Sequence, residues 1–127
     1  MISLFANALL DRGHNVHFTT AFAMVTAFQK YVTSFGRDDH LINDFLDCDV
    51  LIIDDLGAEP VIRNVTQEHI YNIINERLFH KRAFIITTNL TPAEIRDRYD
   101  QRITSRILAD STTTCLEFKG NDLRLNP

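Results

Sequence analysis

Cysteine is scarce in this 127-residue sequence, which has only Cys48 and Cys115. The two lie far apart and lack metal-ligand spacing. That excludes a disulfide framework or a thiolate metal site and fits reduced thiols in a cytosolic protein. Long apolar runs are missing as well, so no segment is expected to cross a bilayer. The opening residues, MISLFANALLDRG, lack a basic start, a long apolar centre and a small-residue cleavage site, and therefore read as part of the fold rather than as a signal peptide. No linker, low-complexity stretch or internal repeat divides the chain. With 45% hydrophobic and 24% charged residues, this length suits one soluble domain with a real core. The net charge of −4 gives no general attraction to nucleic acid. Arg96, Arg98, Arg102, Arg106 and Arg124 do gather late in the chain, where they could serve an anionic ligand. No serine sits in a nucleophile elbow, and His14, His17, His40, His69 and His80 form no metal-binding pattern.

The residues that are present alternate between helical and strand patterns. Met1 to Leu10 carries apolar residues at helical spacing (Ile2, Phe5, Ala6, Leu9, Leu10), and Gly13 stops it. Asn15 to Thr19 predicts a strand. Thr20 can cap a helix from about Ala21 to Phe35, with Met24, Val25, Phe28 and Val32 inward. A short helix over Leu41 to Leu46 leads into Val50-Leu51-Ile52-Ile53, a run expected to be a strand covered on both faces. Thr66 precedes an amphipathic helix to about Phe79, with Ile70, Ile73, Ile74 and Leu78 as its stripe and Glu68 in its first turn. Ala83 to Thr88 reads as another buried strand. Thr91-Pro92-Ala93-Glu94 combines an N-cap, a first-turn proline and a capping-box glutamate. A helix over about Gln101 to Leu108 and a strand over Thr113 to Phe118 complete the series. Alternation of this kind predicts an α/β domain, an open parallel sheet with helices on both faces, whose ligands sit at the carboxyl ends of the strands.

Asp54, Asp55 and Asn89 all fall at those ends. Adjacent carboxylates closing a buried strand repel each other and resist burial, so they need a compensating partner. Nucleotide-bound Mg²⁺ takes one or two carboxylates and completes its shell with water and phosphate. One Asp would then position the metal while the other orients or deprotonates an attacking water. The same pair could instead cap the loop after the strand. Asn89 offers both a donor and an acceptor to a water beside a terminal phosphate, or it is an ordinary turn residue. Arg102 and Arg106 stand one helical turn apart and suit phosphate oxygens, including those of a neighbouring subunit's nucleotide; ion pairs to acids such as Asp97 or Asp100 are the alternative. A phosphoacceptor receiver domain, with Asp54, Asp55, Thr87 or Thr88, and Lys119 in its roles, is a further reading. It is disfavoured because receivers place the acidic pair after the first strand.

The strings DVLIIDDLGAEP, IYNIINERL, AFIITTNLTPAEIRDRYDQRITSRIL and LEFKGNDLRL resemble, in this order and over nearly the whole chain, the ATPase domain of DnaC/DnaI-type replicative helicase loaders. The transposition helpers of the IstB type are similar. Both are AAA+ P-loop ATPases. The resemblance implies that VLIIDD is the Walker B strand, with Asp54 on the Mg²⁺ side and Asp55 as the catalytic carboxylate. It implies that Asn89 is the first sensor, that Arg106 is the arginine finger with Arg102 in reserve, and that Arg124 is the second-sensor arginine. It further implies ATP and Mg²⁺ as ligands, and a replicative helicase, single-stranded DNA and copies of the same chain as partners.

These ATPases carry GxxxxGK[ST] between their first strand and first helix, and no such string occurs here. Met1 to Val16 resembles the helix that follows this loop. The expectation is an α/β P-loop domain whose first strand and phosphate-binding loop are missing from the sequence, as a fragment or mis-started version of a longer protein. The chain as it stands is then expected to be inactive as an ATPase. A naturally short relative that binds no nucleotide and acts only as an interaction module is the alternative. The missing strand would be central, leaving unpaired edges at the Phe84 to Thr88 and Thr114 to Phe118 strands.

Overall fold

Val50, Leu51, Ile52 and Ile53 form the centre of the molecule, none more than 8% exposed in a computed structural model that describes residues 2–37, 39–109, 111 and 113–117. They belong to β2 (Val50–Leu56), which is flanked by β1 (Val16–Thr20) and β3 (Ala83–Thr88) in a parallel sheet of order β1-β2-β3. Parallel strands require crossover connections, and helices supply them. Between β1 and β2 lie α2 (Ala21–Thr33) and α3 (His40–Asp47); between β2 and β3 lies α4 (Thr66–Phe79). The helix α1 (Ile2–Asp11) precedes the sheet, and α5 (Pro92–Arg98) and α6 (Gln101–Ile107) follow it.

Local chemistry explains most of these boundaries. The Thr20 hydroxyl accepts from the Ala23 N–H and caps α2. Thr91 and Glu94 close a reciprocal capping box around Pro92 at the start of α5. Asp100 caps α6 by accepting from the Ile103 N–H. Thr66 is the first residue of α4 rather than its cap. Its hydroxyl accepts from the Ile62 N–H and donates to the Pro60 carbonyl, stitching the preceding loop together. The main core joins Met24, Val25 and Phe28 of α2, Phe45 of α3, Ile70, Ile73 and Ile74 of α4, Ile95 of α5 and Ile103 of α6 to Leu51, Ile53 and Leu56 of β2.

Several expectations fail. Val32 of α2 is 44% exposed, so the inward stripe of that helix ends at Phe28, with Tyr31 only half-buried. Phe5 and Leu10 of α1 are exposed because an apolar stripe is buried only where another layer covers it. Phe84 to Thr88 are half-buried, not buried, since among the described residues β3 pairs with β2 alone and is an edge. No strand forms over Thr113 to Glu117, and Phe118 lies outside the described residues. Strand propensity is realised only against a neighbour, and the strand that the resemblance sets beside this segment is not among the described elements.

Candidate functional site

Regular pairing between β2 and β3 breaks where the acids lie. Ile53 faces Ile86 and Leu56 faces Thr88, so Asp54 and Asp55 together oppose Thr87. One extra residue on β2 makes a bulge, a device that re-aims side chains. Asp55 takes φ +60, a left-handed conformation that aspartate tolerates better than most residues. Thr87 holds both acids. Its hydroxyl donates to Asp54 Oδ1 at 2.5 Å and accepts from the Asp55 N–H at 2.9 Å. Thr88 turns the chain out of β3, its hydroxyl donating to the Leu56 carbonyl at 2.6 Å and accepting from the Leu90 N–H at 3.1 Å.

Asp54, Asp55, Thr87, Thr88 and Asn89 line one open cavity of about 270 Å³ at the carboxyl edge of the sheet. It is smaller than sites that enclose a drug-sized ligand, roughly 300 Å³ and upward. There is room for a terminal phosphate and its metal, whereas a whole nucleotide would need a further wall. Thr87 occupies only Oδ1 of Asp54, and Asp55 is exposed. The donor set therefore fits a cation that accepts one or two carboxylates and otherwise water and phosphate. Among the described residues no group of three or more His, Cys, Asp or Glu gathers to hold a metal without such help.

The loop beyond the acids is tightly fixed. Gly57 has φ +111, a conformation that favours glycine, and a Cβ there would meet Leu90 Cδ1 at 2.8 Å and push that side chain aside. Its N–H donates to Glu59 Oε2 at 2.7 Å. The Glu59 carboxylate is fully buried, and its Oε1 accepts a hydrogen bond from the Tyr99 hydroxyl. Arg98 Nε lies 3.6 Å from the same carboxylate, and its Nη2 donates to the Glu59 carbonyl at 2.7 Å. Burial, aided by the neighbouring carboxylate, pushes the Tyr99 phenol far above its usual range and keeps it a donor.

The arginines stand apart from this cavity. Arg102 and Arg106 rest on α4, their guanidinium carbons 4.5 and 4.8 Å from the centre of the Tyr71 ring. Arg102 is ion-paired to Glu68 at 3.1 Å and Asp100 at 3.0 Å, the more ordinary of its two expected roles. Among the described residues Arg106 has neutral partners: Asn75 Oδ1 at 3.0 Å, the Arg102 carbonyl at 2.7 Å and the Tyr71 hydroxyl at 3.5 Å. Arg124 and Lys119 lie outside the described residues.

Sequence reasoning named Thr87 beside the acids only in the disfavoured receiver reading, and missed Glu59 and Tyr99 altogether. Two threonines directly before a strand-ending asparagine are a usable signal for the first. Nothing local marks Glu59 and Tyr99 as partners, because they are 40 residues apart and meet only in the fold.

Residues 2–126 match the family profile of IstB-like ATP binding proteins. The chain is 26% identical over 126 residues to the chromosomal replication initiator protein DnaA of Aliarcobacter butzleri (strain RM4018), covering 94% of this chain and 27% of that protein. A DnaC helicase loader superposes with a TM-score of 0.70 at 23% identity, over 84% of this chain and 62% of the loader. A replication initiator DnaA bound to AMPPCP and single-stranded DNA gives a TM-score of 0.66 at 22% identity, over 80% of this chain and 31% of DnaA. The chain thus spans about a quarter of the DnaA relative's length. These likenesses establish the fold, in which the three parallel strands and their helices match the P-loop AAA+ domains of DnaA and DnaC.

Proposed function

This chain belongs to the IstB-like ATP-binding proteins, a DnaC- and DnaA-like branch of the AAA+ fold, and from that premise we propose that it carries the acid half of an ATPase site acting in DNA replication as a helicase loader does. The observation that carries the reading is the bulge, which brings Asp54 and Asp55 to one cavity with Asn89 and pins both acids to Thr87. Asp54 would hold Mg²⁺ through its free oxygen, and the metal, when bound, neutralises charge on the phosphates. Asp55, more exposed, would take the proton from the attacking water, and Asn89 would orient that water by donating and accepting. Arg106, whose partners among the described residues are all neutral, would offer its charge to a nucleotide held by a neighbouring copy; Arg102 is already paired to two acids. Arg124 is assigned the second-sensor position by resemblance alone. Single-stranded DNA and a replicative helicase are the partners that fit, given the solved DnaA complex and the helicase-loader fold. No described helix is long and apolar enough to cross a membrane, and we assign the protein to the cytoplasm.

The complete gene product bearing this chain is expected to bind Mg²⁺-ATP, and Asp55→Asn to slow hydrolysis about a hundredfold or more with affinity retained. Absence of nucleotide affinity in that complete protein would sink the assignment. The family description supports a second reading, an IstB-like transposition helper with the same site. Co-purification with the replicative helicase favours the loader, and with a transposase the helper. The small cavity also leaves room for a form that binds no nucleotide and acts only as an interaction module; micromolar ATP affinity of the 127-residue chain would exclude it.

A further inference from the structure

Beyond the cavity, a chain of mostly half-buried polar contacts runs from the acid-bearing bulge to the helix that carries the two arginines. It starts at Asp55, whose carbonyl accepts from the Ala58 N–H at 3.2 Å, closing the turn that contains Gly57. The Gly57 N–H reaches the Glu59 carboxylate. That carboxylate is held by Tyr99, which is 3% exposed and sits at the end of α5. Arg98 grips the Glu59 carbonyl, and its own carbonyl accepts from Gln67 Nε2 at 3.0 Å. Gln67 Oε1 then accepts from the Asp100 N–H at 3.1 Å, and Asp100 is both the cap of α6 and an ion-pair partner of Arg102.

A buried carboxylate is costly unless its oxygens are filled, and here both are. One is filled by the loop after the acids and the other by the junction between α5 and α6. The carboxylate therefore fixes the distance between these two segments. Leu90, packed against Gly57 and directly following Asn89, ties the third side of the site to the same turn.

We propose that Glu59 and Tyr99 are positioning residues that hold the Asp55 turn in register with α6, so that a change at the acid pair and a change at Arg102 and Arg106 occur together. The proposal rests on the reading of Asp55 as the catalytic carboxylate. Neither Glu59 nor Tyr99 lines the cavity, so both act through the backbone of residues 55 to 58.

The test uses Tyr99→Phe, Glu59→Gln and the double variant in the complete gene product. Hydrolysis is expected to fall about tenfold in kcat with ATP affinity changed less than about twofold, and the double variant to be no worse than the poorer single one. Backbone hydrogen exchange is measured in parallel. The Gly57 amide and the amides of α6 should exchange about tenfold faster together, while those of α2 stay as in the parent protein. An unchanged kcat with parental exchange in α6 overturns the proposal. So does faster exchange everywhere, which marks a merely structural role. If the parent protein neither binds nor hydrolyses ATP, the functional reading fails, and the exchange arm alone decides whether the turn and α6 move as one. Should either variant fail to fold, exchange in Arg98→Lys, which keeps the carboxylate and the phenol, decides the same question.

Discussion

Arg77 is the largest fully buried side chain of the described residues. Its guanidinium donates to the carbonyls of Phe45, Leu46, Cys48, Asp49 and Ala83 and to the Cys48 sulfur. Burial lowers its pKa, against smaller opposing effects of Cys48 and the Asp49 charge, and burial raises that of the Cys48 thiol. These contacts join the end of α3, the start of β2 and the start of β3. Arg77→Met is expected to strand several carbonyl groups and destabilise the fold by about 3 kcal/mol or more, measured by urea unfolding. A loss under about 1 kcal/mol would show that water replaces the guanidinium. An arginine in the last turn of a helix reads from sequence as solvated surface, and only the packing of α4 reveals it as a tie. Asp54, Asp55 and Asn89 were legible as site candidates because acids and amides at the ends of apolar strands have few structural uses. Thr87 was legible as a neighbour of the acids but not as the group that holds both, since that role depends on the bulge.

Between elements, the most informative contact is that of α4 with α2. His69 stacks on Phe28 with ring centres 5.0 Å apart and meets the edge of Tyr31 at 6.2 Å. Burial lowers its pKa below 6.5, against a smaller opposing effect of Glu68. As pH falls, the unfolded chain takes up this proton first. The stability from the contact is therefore complete above about pH 6.5 and is lost as pH drops through the folded value. His69→Phe, which keeps the stack without the charge, should flatten the fall in urea midpoint between about pH 7.5 and 5.5. Parallel profiles for parent and variant would refute the assignment. Element starts with complete side-chain chemistry, such as Thr91 to Glu94, were fully legible. The burial of α1 and β3 was not, because a stripe or strand states what it can bury and not what covers it.

At the scale of the molecule, the sheet has one central strand and, among the described residues, an unpaired edge along β3. Large apolar side chains stand exposed as well, Leu4, Phe5, Phe22, Phe35 and Phe79 each by more than half. Open edges and apolar surface favour association. The 127-residue chain alone should thus show an apparent mass that rises with concentration in sedimentation velocity. A monomer at all concentrations would mean that the edge is covered. The fold class was legible from alternation alone. The distance between Arg106 and the acid cavity was not, because it depends on how α6 packs on α4, which no pattern along the chain encodes.

In an unbroken strand, neighbours in sequence point to opposite faces, so a second acid placed after the first is hidden from whatever the first one meets. The additional residue opposite Thr87 removes that parity. Two successive codons can thereby bring two carboxylates to a single cavity, where the proposed anchor and base would stand side by side. A single deletion at Asp54 or Asp55 would restore the alternation and leave the cavity with one of its two acids.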